Sequence, residues 1–338
     1  MPRLPDPAKG FKTLRELDLN AIRNQAEAPF HIAIIGDPGV GKSTLIAQLL
    51  SGPRSGMALQ PSPITEHDLN EEIFVQPYST VILILDISQS QNTIEHPVLE
   101  RLRSYNAPTI VCYNKVDLMQ NPQTLRCTSP LPGTQVIALS ASNRQKVLEN
   151  LVPGLLRIYK EREILLARHL PMFREPVSKK LIEDTCFINA GYSLTTGLAE
   201  MNILFDLPLN VADMVVLTKN QALMAYKIAL SLDLPSDWRE TIPKLATVVG
   251  GGFLWRLIAR QLVGLVPAFG IVPKVAVSYA GTYAVGQAVY QWCVNGERVN
   301  PKLLRGIFAQ ALERGREEAS ILLAKLNAAS PGISRKTA

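Results

Sequence analysis

One octet constrains this chain more than any other stretch. Residues 36–43 read Gly-Asp-Pro-Gly-Val-Gly-Lys-Ser and follow directly on the apolar run Phe-His-Ile-Ala-Ile-Ile at 30–35. A short, nearly continuous apolar run is the mark of a strand buried on both faces. The octet fits G-x-x-x-x-G-K-[ST], with Gly36, Gly41, Lys42 and Ser43 in the fixed places. Such a loop must curl until successive backbone N–H groups point inward, and glycine permits that curl. A helix over 43–51 then adds the positive end of its dipole. The spacing therefore predicts strand, anion-binding loop and helix, with Gly36, Asp37, Gly39, Val40, Gly41, Lys42, Ser43 and Thr44 around a phosphate. In that arrangement Lys42 neutralises phosphate charge and the Ser43 hydroxyl binds Mg²⁺. The plainer alternative is a glycine turn without a ligand. Gly39 and Gly41 also begin a dinucleotide fingerprint, but its third glycine is missing.

Further strand-like runs follow at 79–86, 108–114 and 134–140, with helical stretches at about 92–105 and from about 144. Alternation of this kind predicts a mostly parallel sheet with helices on both faces. Beyond residue 160 no β-rich run recurs. Helices are expected near 146–169, 178–201, 210–232, 237–264, 273–294 and 301–327, punctuated by prolines that include Pro171, Pro176, Pro273 and Pro301. The fold class is therefore an α/β P-loop domain followed by an all-α domain. Four segments are expected: an amphipathic helical segment at 1–29, the α/β domain at 30–160, the helical domain at 161–327 and a frayed tail at 328–338.

The third strand ends in Asn114-Lys115-Val116-Asp117. A carboxylate there can accept two hydrogen bonds from guanine, from its ring N–H and its exocyclic amine. Adenine has neither donor in that place and would leave the carboxylate unpaired. The Asn114 amide can reach the other base edge, and the Lys115 stem can cover the ring. At the end of the fourth strand stand Ser140, Ala141 and Ser142, whose backbone can meet the guanine carbonyl.

Taken in this order, the three motifs resemble the Era-like branch of the translation-factor-related GTPases over about residues 30–160. The resemblance implies that 36–44 cradle the phosphates of GTP or GDP, that Asn114, Lys115 and Asp117 read guanine, and that Ser140–Ser142 support the base. Such GTPases carry D-x-x-G at the end of a strand between the phosphate loop and the 79–86 strand. The Asp holds Mg²⁺ through water and the Gly amide senses the γ-phosphate. Residues 52–78 contain no D-x-x-G. Residues 72–78 are read as a remnant strand, with Gln76-Pro77 where the motif belongs. Thr65 is either the threonine that closes over Mg²⁺ or an ordinary loop threonine. Glu66 and Asp68 are candidate water-mediated metal ligands. Asp86 has the pattern of a metal-shell aspartate but is read as an ordinary strand-end residue. No histidine is assigned a catalytic role, and His67 is expected in a solvent-facing loop. The expected chemistry is guanine-nucleotide binding with slow or partner-dependent hydrolysis, and the hydrolytic residue is unknown.

The helical half carries a second resemblance, over about 201–294, to a glycine-rich helical domain of unknown function fused to Era-like GTPases in bacteria, notably cyanobacteria. Members are often predicted to associate with membranes. Residues 275–294 hold no charge, and Ala276, Ala280, Ala284 and Ala288 repeat every four residues. The length approaches a bilayer span, and the stripe suits close helix contact. A close-packed helical bundle is preferred to a span. Charge is uneven: 13 Lys and Arg stand against 14 Asp and Glu up to residue 150, and 22 against 15 after it. An anionic partner, such as a membrane surface, would therefore meet the helical half. The four cysteines form no C-x-x-C pair, so no zinc site or disulfide framework is expected and the cytoplasm is the expected compartment. Three readings follow: a switch that controls its helical domain and an unidentified protein effector, a scaffold whose nucleotide is structural, and an RNA or ribosome-assembly factor. Nucleic acid is the least expected partner, because no KH-like GXXG loop is found and the helical half lacks a basic-aromatic surface pattern.

Overall fold

The computed structural model describes residues 19–54, 62–69, 78–89, 102, 107–119, 134–202, 211–237, 239–241, 244–245, 271–297 and 299–329. They fall into two compact units, Asn24–Val177 and the part from Ser178 onward, which Leu19–Arg23 joins.

The first unit is built on five described parallel strands: β1 (Ile32–Ile35), β2 (Ile64–His67), β3 (Thr80–Asp86), β4 (Thr109–Asn114) and β5 (Gln135–Ala138), in the order β2-β1-β3-β4-β5. Every residue of β1 and β3 is buried, as central parallel strands require. The segment Leu19–Ala26 is α1, and α2 (Lys42–Leu49) follows β1. Among the described strands, chain order reverses at β1: β2 pairs on one side, and β3, β4 and β5 lie on the other. In open parallel sheets such a switch point opens a crevice at the carboxyl ends of the strands. The loop at 36–41 leaves β1 there.

β2 places Thr65 and His67 in a strand, where the sequence offered a loop for His67 and, as one of two readings, for Thr65. Among the described strands it is an edge strand of four residues, Ile-Thr-Glu-His, with only Ile64 buried. Edge strands pair on one side and carry polar residues, so apolar run length does not reveal them. His67, expected in a solvent-facing loop, is the last residue of β2, and its Nε2 lies 2.6 Å from the Tyr78 hydroxyl. The expected strand at 72–78 falls, apart from Tyr78, outside the described residues. So does the 92–105 helix, apart from Leu102, which is helical.

The expected helix at 146–169 is broken. Residues 144–158 are helical, with a wider π turn at Val147–Leu151 ahead of α3 (Val152–Ile158). The chain then turns, with Glu161 left-handed at φ 68°, into α4 (Glu163–His169).

In the second unit, α5 (Arg174–Asn202), α6 (Val211–Ser231), α7 (Ile271–Asn295) and α8 (Pro301–Ala329) match the expected pattern, but α5 and α7 begin earlier. Pro176 and Pro273 sit in first turns, where the missing N–H has no helical acceptor anyway. Of the expected 237–264 helix, only 239–241 and 244–245 are described, and they are helical. All four alanines of the stripe on α7 are buried. Gly315 on α8 lies so close that a Cβ there would stand 2.8 Å from the Ala276 carbonyl. Gly286 faces Ile182 of α5, with 2.6 Å left for a Cβ. Small residues thus set the helix spacing. Among the described residues, no helix is long and apolar enough to cross a membrane.

Candidate functional site

Five strand ends converge on one edge of the sheet. From β1 the backbone enters the glycine-rich loop, where Gly39 and Gly41 have φ of 79° and 102°. Both values lie in the left-handed region that glycine enters without steric cost. Gly36 is needed for another reason: a Cβ there would stand 2.5 Å from the Ile84 carbonyl of β3. Val40 and Lys42 are buried, Asp37 is half-buried, and Gly39, Ser43 and Thr44 are exposed at the loop's mouth.

Asn114, at the end of β4 and only 3% exposed, ties the three motifs together. Its Nδ2 donates to the Val40 carbonyl at 2.7 Å, and its Oδ1 accepts from the Ala141 N–H at 2.7 Å. It lies directly over Gly41, where any Cβ would collide with its amide. The two ends of the amide hold the 36–41 loop to the 140–142 loop. In that second loop the Ser140 and Ser142 hydroxyls are paired at 2.9 Å, and Asn143 caps the next turn by accepting from Lys146 N–H.

Lys115 stands in the left-handed region at φ 67° and donates to Asp86 Oδ2 at 2.6 Å. The other Asp86 oxygen accepts from the Ser88 N–H and hydroxyl. Burial alone would raise the Asp86 carboxyl, but the hydrogen bonds from Lys115 and Ser88 outweigh it and hold the group below its ordinary range. Asp86 therefore serves the β4 loop. Asp117 follows in a short 3-10 turn, exposed and with no hydrogen-bond partner among the described residues.

The acidic side of the site comes from β2. Its last hydrogen bond to the β1 side runs from Gly36 N–H to the His67 carbonyl at 3.2 Å, which delivers Asp68 beside the loop. Lys42 Nζ donates to the carbonyls of Gly36 (2.8 Å) and Asp37 (3.1 Å) and to Asp68 Oδ1 (2.5 Å). An ammonium has three donors, and these three contacts use them all. The Ser43 hydroxyl donates to Glu66 Oε2 at 3.1 Å, and Glu66 lies 3.8 Å from Lys42. Thr65 is not brought to this group. Alternation along β2 directs it away from Glu66, and its hydroxyl contacts His31 Nε2.

The site therefore holds a cation against the loop, two carboxylates beside it and a hydroxyl at the start of α2, and the turn after β4 carries the exposed Asp117 carboxylate. Lys42 can offer its charge to an anion, and the Ser43, Glu66 and Asp68 oxygens are of the kind a hard divalent cation takes, although no group of three or more His, Cys, Asp or Glu that could hold a metal is found among the described residues. Sequence reasoning named Glu66 and Asp68 but missed the strand that presents them. Their spacing of two was the only local signal. Compared with known proteins, the chain matches no family model and no curated relative.

Proposed function

We propose that this chain binds guanine nucleotide at the 36–44 loop and acts as a switch that controls its helical half. The observation that carries the reading is the Asn114 bridge. A single buried amide holds the glycine-rich loop and the Ser140–Ser142 loop together, and Asp117 stands open in the next turn. In this reading the loop amides and Lys42 hold the phosphates, and the Asp117 carboxylate accepts from guanine. Ser140–Ser142 support the base.

Mg²⁺ fits the donors present: Ser43 Oγ would ligate it, with Glu66 and Asp68 as the neighbouring carboxylates. The metal would supply charge neutralisation between phosphates. The lysine must exchange its Asp68 contact for a phosphate oxygen when nucleotide enters, because its other two donors are held by backbone carbonyls. Strand order supports Asp68 as the counterpart of the D-x-x-G aspartate, in place of Gln76-Pro77. The sequence there is Asp68-Leu69-Asn70-Glu71, which puts Glu71 where the γ-sensing glycine belongs. Hydrolysis is accordingly slow or partner-dependent.

Calorimetric titration of the full chain with GDP, GTP and ADP, with Mg²⁺ present, tests the reading. Binding of the guanine forms alone is expected. No binding, or equal binding of ADP, overturns it. The positive charge of the helical half supports peripheral association with an anionic membrane. Co-sedimentation with phosphatidylglycerol vesicles but not with RNA is the expected result, and the reverse would favour an RNA-directed role.

A further inference from the structure

Arg174 is the largest of the fully buried side chains among the described residues, 1% exposed. Its guanidinium makes four hydrogen bonds to backbone carbonyls. Nε donates to Ala167 O at 3.2 Å and Nη2 to Arg168 O at 3.2 Å, both in the last turn of α4. Nη1 donates to Pro53 O at 2.9 Å and Arg54 O at 3.0 Å. A buried charge is expensive, and an apolar side chain of similar volume is often at least as stabilising. What the guanidinium adds is its planar fork, which holds two segments in fixed register.

One of those segments is the last turn of α4. The other is the exit from α2, the helix that begins with Lys42 and Ser43. That exit is gripped at two more points. Arg144, two residues past Ser142, donates to the Ser51 carbonyl and hydroxyl. Gly52 is packed so closely on the Pro171 carbonyl that any Cβ there would collide with it. Arg174 is also the first residue of α5, the helix within which the chain passes from the first unit to the second, at Val177–Ser178.

We infer that Arg174 is a coupling residue, which transmits occupancy of the 36–44 loop through α2 and the 51–54 turn to the first turns of α5. The inference rests on the guanine-nucleotide reading above and adds the route by which the helical half senses it. α2 is a rigid element of two turns. Ligand forces act at one end of it and the carbonyl grip of Arg174 at the other, which is the kind of packed, hydrogen-bonded chain that carries coupling. Exchange of Asp68 for phosphate at Lys42 is the event that shifts α2.

Hydrogen–deuterium exchange of the full chain, with and without GTP and Mg²⁺, tests this. In the wild type, GTP is expected to slow exchange of the α5 amides at 178–190 by about threefold or more. In Arg174→Met, affinity for GTP should stay within about threefold of wild type while the α5 response disappears. A merely structural arginine would lower thermal stability and leave that response in place, which overturns the inference. Gly52→Ala presses on the same junction without touching the arginine and should also blunt the response. If neither variant folds, the wild-type comparison decides: GTP that binds without changing α5 exchange overturns the coupling alone. Wild type that does not bind GTP overturns the guanine-nucleotide reading and the coupling with it.

Discussion

Each unit contains a buried asparagine that joins elements far apart in sequence, and the two do different work. Asn114 spends its amide on backbone, the Val40 carbonyl and the Ala141 N–H, and so holds two loops at the open edge of the sheet. Asn189 on α5, fully buried, spends its amide on side chains. It donates to Thr282 Oγ1 of α7 at 2.9 Å and accepts from Asn220 Nδ2 of α6 at 2.7 Å, while Gln221 Nε2 joins the same Thr282 oxygen at 3.2 Å. The first arrangement shapes a surface that faces solvent. The second sets the register of three helices whose buried core is otherwise largely apolar. Apolar surfaces slide easily, and a polar network specifies one alignment, although Gln221 Oε1 in this one has no partner among the described residues.

The largest expected effect would break this contrast if it failed. Lys42→Ala should lower guanine-nucleotide affinity by about a hundredfold, through loss of a charge-assisted contact to phosphate. It should leave helical content by circular dichroism unchanged. Next come the paired substitutions. Asn114→Ala should weaken nucleotide binding by roughly tenfold and destabilise the first unit by about 2 kcal/mol, since two buried groups lose their partner. Asn189→Ala should cost the second unit a similar amount, about 2 kcal/mol, with nucleotide affinity unaltered. Urea melts read beside binding isotherms separate the two. Asp68→Asn sharpens the picture within the site. Removing the carboxylate that occupies Lys42 should raise GDP affinity without Mg²⁺ by a few-fold and shrink the gain that Mg²⁺ brings. Equal loss in both conditions would speak against the exchange of Asp68 for phosphate.

The smallest effect concerns pH. The Asp86 carboxyl is held below its ordinary range in the folded state. Its stabilisation is therefore present above the unfolded carboxylate value and is lost as pH falls through the depressed folded value. Asp86→Asn should flatten the acid limb of stability below about pH 4 and leave the neutral plateau with the same slope. An unchanged acid limb would remove Asp86 from the account.

What could be read in the chain, and what could not, follows a physical division. The loop at 36–43, the Asn114–Asp117 segment and the Ser140–Ser142 triplet are local patterns whose geometry resides in a few consecutive residues, and each lies at the end of a strand marked by its own apolar run. β2 left no such mark, because an edge strand needs only one buried residue in four. The earlier start of α5 and α7 was hidden by prolines that read as breaks and sit where a helix tolerates them.

By itself the sequence determined which residues stand at strand ends and which helical faces are apolar, since both depend on periodicity and backbone preference within a few residues. Only the tertiary structure decided that Asp68 meets Lys42, that Lys115 takes Asp86, that Asn114 bridges two loops instead of facing outward, and that Arg174 holds the exit of the helix Lys42 begins. Each of these joins residues separated by 26 or more positions or by a strand crossover. Contacts of that kind exist only once parallel pairing has brought the carboxyl ends of the strands to one edge, and no local preference encodes them.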